Sequence, residues 1–420
     1  MVLSLPYHGD SFKLKNADYD DDEIPSINDP SLGVEEVTEG LELPTSMAFL
    51  GPNDILVLEK DKGTVKRIIN GVMLEEPVLD VNVANSIERG ALGIAAGRTM
   101  NDKNEYTIYV FVYYTEAEVE GKDICPKPGE PCSGVEPFGN RLYRYELINN
   151  KLINPKLLLD LPAIPNRHNG GSVVIGPDQN VYVVIGDVDH TTQAQNQELG
   201  GEADGTSGIL RVTQNGEVVD GVGILGDEHP LNKYYAYGIR NSFGFDFDPI
   251  TGNIWDTENG LSDADEINLI EPGFNSGWSG VQGMSSDADE FDPETDLVSI
   301  NGKGKYSDPE FEWRDPVGPT AIKFLNSDKL GTQYKNDIFV GDVVNGNIYH
   351  YDLNEDRTQL LLDDVLADKV ALTIDELDQV MFGEDFHGIV DMEVGPDGYL
   401  YILSIGLGKI FKIVPNNTID

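Results

Sequence analysis

Apolar and polar positions alternate along most of this chain in short runs, and no segment keeps a 3.6-residue period for more than a few turns. Runs such as DILVLE, YTIYVFVYY, VYVVI and YLYILS are rich in Val, Ile, Tyr and Phe and are bounded by Gly, Pro, Asn and Asp, which is the signature of β-strands. One phrase recurs: an apolar run, a turn, a second run, a Gly turn, and a third run ending on a basic or aromatic residue. It begins at Pro44, Gly90, Asn169, Asn241, Gly318 and Gly388. Six copies in 420 residues give about one per 70. A unit of three or four antiparallel strands cannot bury both of its faces alone, so the units must stack on one another. Radial stacking predicts an all-β fold, one six-bladed β-propeller of four-stranded antiparallel blades over residues 38–420. Residues 1–37, with NADYDDDEIPSINDPS, stand outside the repeat and read as an acidic strap or tail. The longest connection, 271–317, belongs to the class of loops that build sites at one end of a propeller.

Composition sets the surroundings. The 74 acidic and 29 basic side chains leave a formal charge of -45, about one net negative charge per 350 Å² of a folded surface of roughly 16,000 Å². A nucleic acid partner requires a basic face, and an anionic membrane would repel this surface. No apolar run approaches the roughly 18 residues that span a bilayer. The opening MVLSLPYHGD lacks a charged n-region and reads as the remnant of a removed signal peptide. The two cysteines, Cys125 and Cys132, flank PKPGEP with no further ligand type nearby. A small-loop disulfide is the reading that fits an exported, extracellular or periplasmic protein; two unrelated surface thiols are the alternative.

Three constellations carry chemistry. His168 precedes Asn169, Gly170 and Gly171, where small residues turn the backbone and leave an imidazole free to act as a general base; the bland reading is a loop histidine satisfying a carbonyl. Asp187 ends the neighbouring run VVIGD and is its candidate partner. Arg240 and Asn241 occupy the matching place in the fourth repeat, and Arg offers a planar fork for a carboxylate or quinone oxygen. Its bland reading is an ion pair with a local Asp. Glu258, Asp263, Asp265, Glu266 and Asn268 fall within eleven residues, a density of hard oxygens that suits calcium, though acidic turns are often only solvated. Asp18, Asp20 and Asp22 have EF-hand-like spacing, but Glu23 stands where that loop needs Gly.

Taken in order, PTSMAFLGPNDILVLEKDKGTVKRI, ERGALGIAAG, HNGGSVVIGPDQNVYVVIGD, YGIRNSFGFDFDP, ENGLSDADEINLIEPGFNSGW and DMEVGPDGYLY resemble the soluble glucose/sorbosone dehydrogenases over about residues 38–414. Those are six-bladed propellers that oxidise aldose sugars with pyrroloquinoline quinone (PQQ) and calcium. The resemblance implies that His168 is the base taking the C1 hydroxyl proton while hydride passes to the quinone. It also implies that Arg240 and Asn241 contact the quinone oxygens and that Asp187 serves the same site. Calcium would take the carbonyls of Gly260 and Leu261, with Glu258, Asp265 and Glu266 as further donors, and a small sugar and an electron acceptor would be the partners.

The chain also departs from that pattern. Where the family presents basic residues to the cofactor carboxylates, this sequence has Gly388 and Val390, and Val344 or Asn345. Leu261, Ser262, Asp263 and Ala264 replace the usual Pro, Arg, Gly and Gly, and Asn275, Ser276, Gly277, Trp278 and Ser279 replace Asn-Tyr-Gly-Trp-Pro. Arg314, Lys323, Lys303 and Lys305 are the candidate replacement cations. Three functional readings stand: a quinoprotein sugar dehydrogenase; a calcium-bound propeller of the same descent that binds carbohydrate or protein without redox chemistry; and a lactonase-type hydrolase.

Overall fold

The alternating runs become strands because each sheet has a neighbour on either side. In the computed structural model, which describes residues 24–100, 106–124 and 133–416, all five residues of Val181–Ile185 and of Leu400–Ser404 are buried, as central strands covered on both faces must be. Cys125, Cys132 and the Asp18 to Asp22 run lie outside the described residues.

Six sheets of four to six strands form in chain order. Their first strands are Pro44–Gly51, Ala91–Met100, Val173–Ile175, Ser242–Phe247, Pro319–Phe324 and Ile389–Val394. Contacts between neighbouring sheets run from the first sheet through to the sixth, and Ile389–Val394 returns to pack on Pro44–Gly51. Six apolar clusters fill the gaps. Leu92, Phe111 and Val183 join the second and third sheets, Tyr182 and Phe245 the third and fourth, and Trp255, Ile322 and Ile338 the fourth and fifth. The set is completed by Phe339 and Ile389, by Tyr401 and Met47, and by Leu56 and Ile94. The fold is an all-β propeller. At Gly93 on an inner strand, an added Cβ would stand 1.7 Å from the Gly171 carbonyl oxygen, so close packing there demands glycine.

Two expectations need correction. Only two of the six sheets have four strands, and not every pair is antiparallel: Phe274–Asn275 adds to Tyr234–Tyr237 in parallel, Lys305–Tyr306 to Phe274–Asn275, and Val370–Ala371 to Phe311–Trp313. These short strands come from long connections and cover sheet edges that would otherwise expose unpaired backbone groups. The second concerns the segment before residue 38. Leu32–Thr38 pairs antiparallel with Lys409–Pro415 as the outer strand of the sixth sheet, and Ser26–Ile27 pairs with Met381–Glu384 at the edge of the fifth, so the boundary placed at 37/38 falls inside a strand.

Leu32 is buried in the cluster between the fifth and sixth sheets, whereas Ile24 is 71% exposed. Leu32→Ala should lower unfolding free energy by about 2–4 kcal/mol in a denaturant titration, while Ile24→Ala should leave it within about 0.5 kcal/mol.

Candidate active site

The turn His168-Asn169-Gly170-Gly171 is fixed from below. Asn169 accepts from the Asn140 amide at 2.8 Å through its side chain and from the Tyr113 hydroxyl at 3.0 Å through its carbonyl. Gly170 has φ +61° and an added Cβ would meet the Val184 carbonyl at 2.4 Å. His168 itself has φ 56°, a conformation that costs energy and persists only when its surroundings enforce it. Its backbone N–H donates to Glu88 Oε2 at 2.5 Å, and the residue is 4% exposed.

The ring is oriented from both sides. Nδ1 lies 2.6 Å from Asp187 Oδ1, and Nε2 faces an Arg240 terminal nitrogen at 3.3 Å. Arginine has no acceptor, so this network selects the tautomer with hydrogen on Nδ1 and a lone pair on Nε2. Asp187 also accepts from the Trp278 indole at 2.6 Å and from the Asp189 N–H at 2.9 Å. Burial pushes the Asp187 carboxyl up, but the facing His168, the Asp189 N–H and Arg240 outweigh it and hold the group below the ordinary carboxylate range. Glu88 is pushed up by burial, with His168 and Arg240 opposing.

Arg240 is buried. Its N–H donates to Glu258 Oε1 at 2.6 Å, its guanidinium to the carbonyls of Asn259 and Gly260 at 2.7 and 2.6 Å, and its own carbonyl accepts the Asp187 N–H at 2.8 Å. The Trp278 ring lies 5.3 Å from the guanidinium carbon. His168 and Asp187 of the third repeat thus meet Arg240 of the fourth, while the buried Asn241 side chain next to Arg240 makes no hydrogen bond to them.

The expected calcium donors do not converge as a set. The Gly260 carbonyl is occupied by Arg240, and Leu261 is exposed with its N–H on Gln282. Glu258 accepts from Arg240 N and the Ser276 hydroxyl, and Asp265 from the N–H groups of Gly260, Val317 and Gly318. Glu266 accepts from Gly283 N and the Asn268 amide. Each carboxylate thus satisfies backbone or side-chain donors of its own, although Glu258 and Glu266 stand opposite each other on adjacent strands of the fourth sheet. Burial raises Glu258 to about 7 and Asp265 to about 6 despite these hydrogen bonds.

An axial cleft opens beside this cluster, lined by Lys60, Glu88, Gly170, Val343, Val390 and Asp391 among others. Among the described residues, Glu88 Oε1 at the cleft wall and, buried outside the residues that line the cleft, Arg240 Nε and both ends of the Asn241 amide have no hydrogen-bond partner; such orphaned atoms are of the kind that a bound polar group, a quinone among them, would complete. Cofactor carboxylates meet fewer cations. Of the candidate replacements, Lys323 lines the channel below the cleft, Arg314 pairs with Asp287 and Glu312, and Lys303 and Lys305 are exposed. Lys60, Glu88 and Trp278 were not singled out from sequence. Glu88 lies three residues ahead of the inner strand Ala91–Met100 and His168 five ahead of Val173–Ile175, and this shared place before the first strand of a repeat was the available signal.

The model of the family "Glucose / Sorbosone dehydrogenase" matches residues 41–412. An uncharacterised protein of Synechocystis is 24% identical over 393 residues, covering 91% of this chain and 86% of its own length. Quinoprotein glucose dehydrogenase B of Acinetobacter calcoaceticus is 35% identical over 271 residues, 60% of this chain and 53% of that protein. Aldose sugar dehydrogenase YliI of Escherichia coli is 27% identical over 60% of this chain and 61% of its own length. Among solved structures, a glucose dehydrogenase-type oxidoreductase of Thermus thermophilus superposes with TM-score 0.67 at 26% identity, over 91% of this chain and 100% of that one. A PQQ-bound aldose sugar dehydrogenase of Streptomyces coelicolor gives 0.62 at 21%, over 92% and 99%, and speaks to fold alone. With the family model covering nearly the whole propeller, this chain belongs to the glucose/sorbosone dehydrogenase family.

Proposed function

We propose that this chain oxidises an aldose sugar at C1 in an exported setting, with His168 as general base and PQQ as hydride acceptor, on six sheets that act as six blades of one ring. The observation that carries the reading is the oriented imidazole: Asp187 holds Nδ1–H at 2.6 Å and leaves the Nε2 lone pair beside Arg240. The sugar hydroxyl gives its proton to Nε2 as the C1–H bond breaks. The resulting imidazolium is stabilised by the ionised Asp187, which the Trp278 indole keeps in place. Bound PQQ would supply the acceptor for the electron pair leaving C1, so that the ring carbon becomes a carbonyl and the product a lactone. The Arg240 guanidinium stabilises negative charge that develops on oxygen next to Nε2. Arg240 and Asn241 would hold the quinone oxygens, and Lys60 is the cation at the cleft wall for a carboxylate. Reoxidation then falls to a separate electron acceptor.

The second reading, a calcium-bound propeller that binds carbohydrate or protein without the quinone, is favoured by one observation. Val343, Val390 and Ile405 form an apolar wall in the cleft, and of these Val390 stands at a position where the family resemblance implies a basic residue. An anaerobic titration of the apo-protein with PQQ and calcium, read by the quinone absorbance and followed by dye reduction with aldoses, separates the two. The dehydrogenase reading expects saturable binding and turnover; binding without turnover on any aldose, or no binding, overturns it. His168→Gln should leave the titration intact and lower turnover by about 10²- to 10⁴-fold.

A third measurement concerns the buried acids. Folded Glu258 keeps its proton to about 7, whereas an unfolded Glu loses it near 4.3. Between those values the folded state binds more protons than the unfolded one, so stability falls as pH rises. In chelator, the melting temperature of the protein should therefore decline from about pH 4.5 to about pH 7. Glu258→Gln, which stays neutral, should flatten that decline, and an unchanged slope would remove Glu258 as its source.

A further inference from the structure

Outside the active site, the hairpin made by Ile338–Asp342 and Ile348–Tyr351 carries a second convergent set of donors. Ile338 pairs with Tyr351 and Phe339 with His350, so Asp337 and Asp352, one step further out, face each other across the strands. Alternation puts His350 on the same face as Asp352. His350 Nε2 lies 3.1 Å from Asp337 Oδ2 and 3.9 Å from Asp352 Oδ1, and one ligand atom from each of the three side chains falls within 4.8 Å of the others.

Like charges directly opposite in a ladder repel. Burial raises the Asp352 carboxyl, and Asp337 raises it further against the pull of His350, which records a negative field only partly cancelled. The imidazole is also held rather than free. Tyr334 meets it edge-on at 5.1 Å between centroids, and Phe339 lies at 5.0 Å. The ring is fixed in an aromatic wall, and its nitrogen–oxygen distances of 3.1 and 3.9 Å bracket the roughly 3.3–3.6 Å edge of a tetrahedral site with metal-ligand bonds of about 2.0–2.2 Å, so small side-chain shifts would close the three ligands on one ion. His350 also lines a surface cavity with Asn28, Asp29, Tyr334 and Gln379, which leaves room for water in the remaining coordination position.

We propose that Asp337, His350 and Asp352 form a binding site for one divalent transition-metal ion, with one nitrogen and two oxygen ligands from the protein and water completing the shell. Imidazole with carboxylates suits zinc and its neighbours better than calcium, which prefers all-oxygen shells. The site is remote from His168 in sequence and shares no ligand with it, so it stands whether or not the chain is a dehydrogenase.

The test uses the full chain, stripped with chelator, exchanged into excess calcium and magnesium to saturate hard-ligand sites, and titrated with Zn²⁺ against a chromophoric competitor. Wild type and His168→Gln should each take up one more zinc per chain than His350→Gln, with a rise in melting temperature that His350→Gln and Asp352→Asn lack. Should His350→Gln fail to fold, Asp352→Asn decides, since that side chain is 59% exposed. Equal zinc uptake and equal thermal shifts in wild type and the folded variants overturn the proposal, as does a wild type that takes up no zinc. Loss of uptake in His168→Gln alone would also overturn it, by assigning the ion to the active site.

Discussion

Burying a guanidinium is expensive unless its donors are satisfied and its charge is balanced, and Arg240 meets that requirement only in part, since its Nε–H is buried without a hydrogen-bond partner among the described residues. Its terminal nitrogen takes two consecutive carbonyls, Asn259 and Gly260, and thereby sets the turn that leads from one strand of the fourth sheet to the next. Its N–H holds Glu258, its carbonyl holds the Asp187 backbone, and its free edge meets His168. Burial lowers its proton affinity, and Asp187, Glu88, Glu258 and Asp265 oppose that loss without cancelling it. The imidazole orientation, the acid next to it and the turn read as a calcium loop are thus consequences of one charge placed at the axis.

How far the chain could be read without coordinates follows from the range of each signal. Period-two alternation and the six-fold phrase are local, so strands and their stacking were legible. His168, Asp187, Arg240 and Asn241 were legible because each sits at a strand end that ring closure carries to the axis. Trp278 was not, since it arrives from the 271–317 connection, whose path over the site is set by short parallel strands with no period of their own. The same absence of pattern hid the extra strands of the third and fourth sheets.

The calcium donors show a different limit. Density of carboxylates along the sequence reports charge, not direction. Asp265 and Glu266 are adjacent in a strand and point to opposite faces, where one caps three backbone N–H groups and the other accepts from Gly283. Acids that solve backbone problems look, in sequence, the same as acids that hold an ion.

The chain's charge sharpens the question of what the cleft holds. With a net charge of -45, attraction for an anionic cofactor has to come from cations whose own charge is not already spent. Lys60 is paired with Asp61 at 2.7 Å, and Lys323 lies between Asp246 at 3.4 Å and Glu393 at 3.0 Å. Those neighbours outweigh the cost of burying the Lys323 ammonium and keep it charged, but they also cancel its field in the channel. Glu88 and Asp391 face the same space, and burial with the adjacent Glu393 holds Asp391 protonated to about 8. Near neutral pH that proton spares the cleft one negative charge, while the Arg240 guanidinium beside it is engaged with the Asn259 and Gly260 carbonyls and His168. Under the proposed dehydrogenase reading, recognition of a quinone would therefore depend on hydrogen bonds more than on net attraction, which makes shape and polar fit, not charge, the quantity that separates an oxidoreductase from a binding propeller built on the same ring.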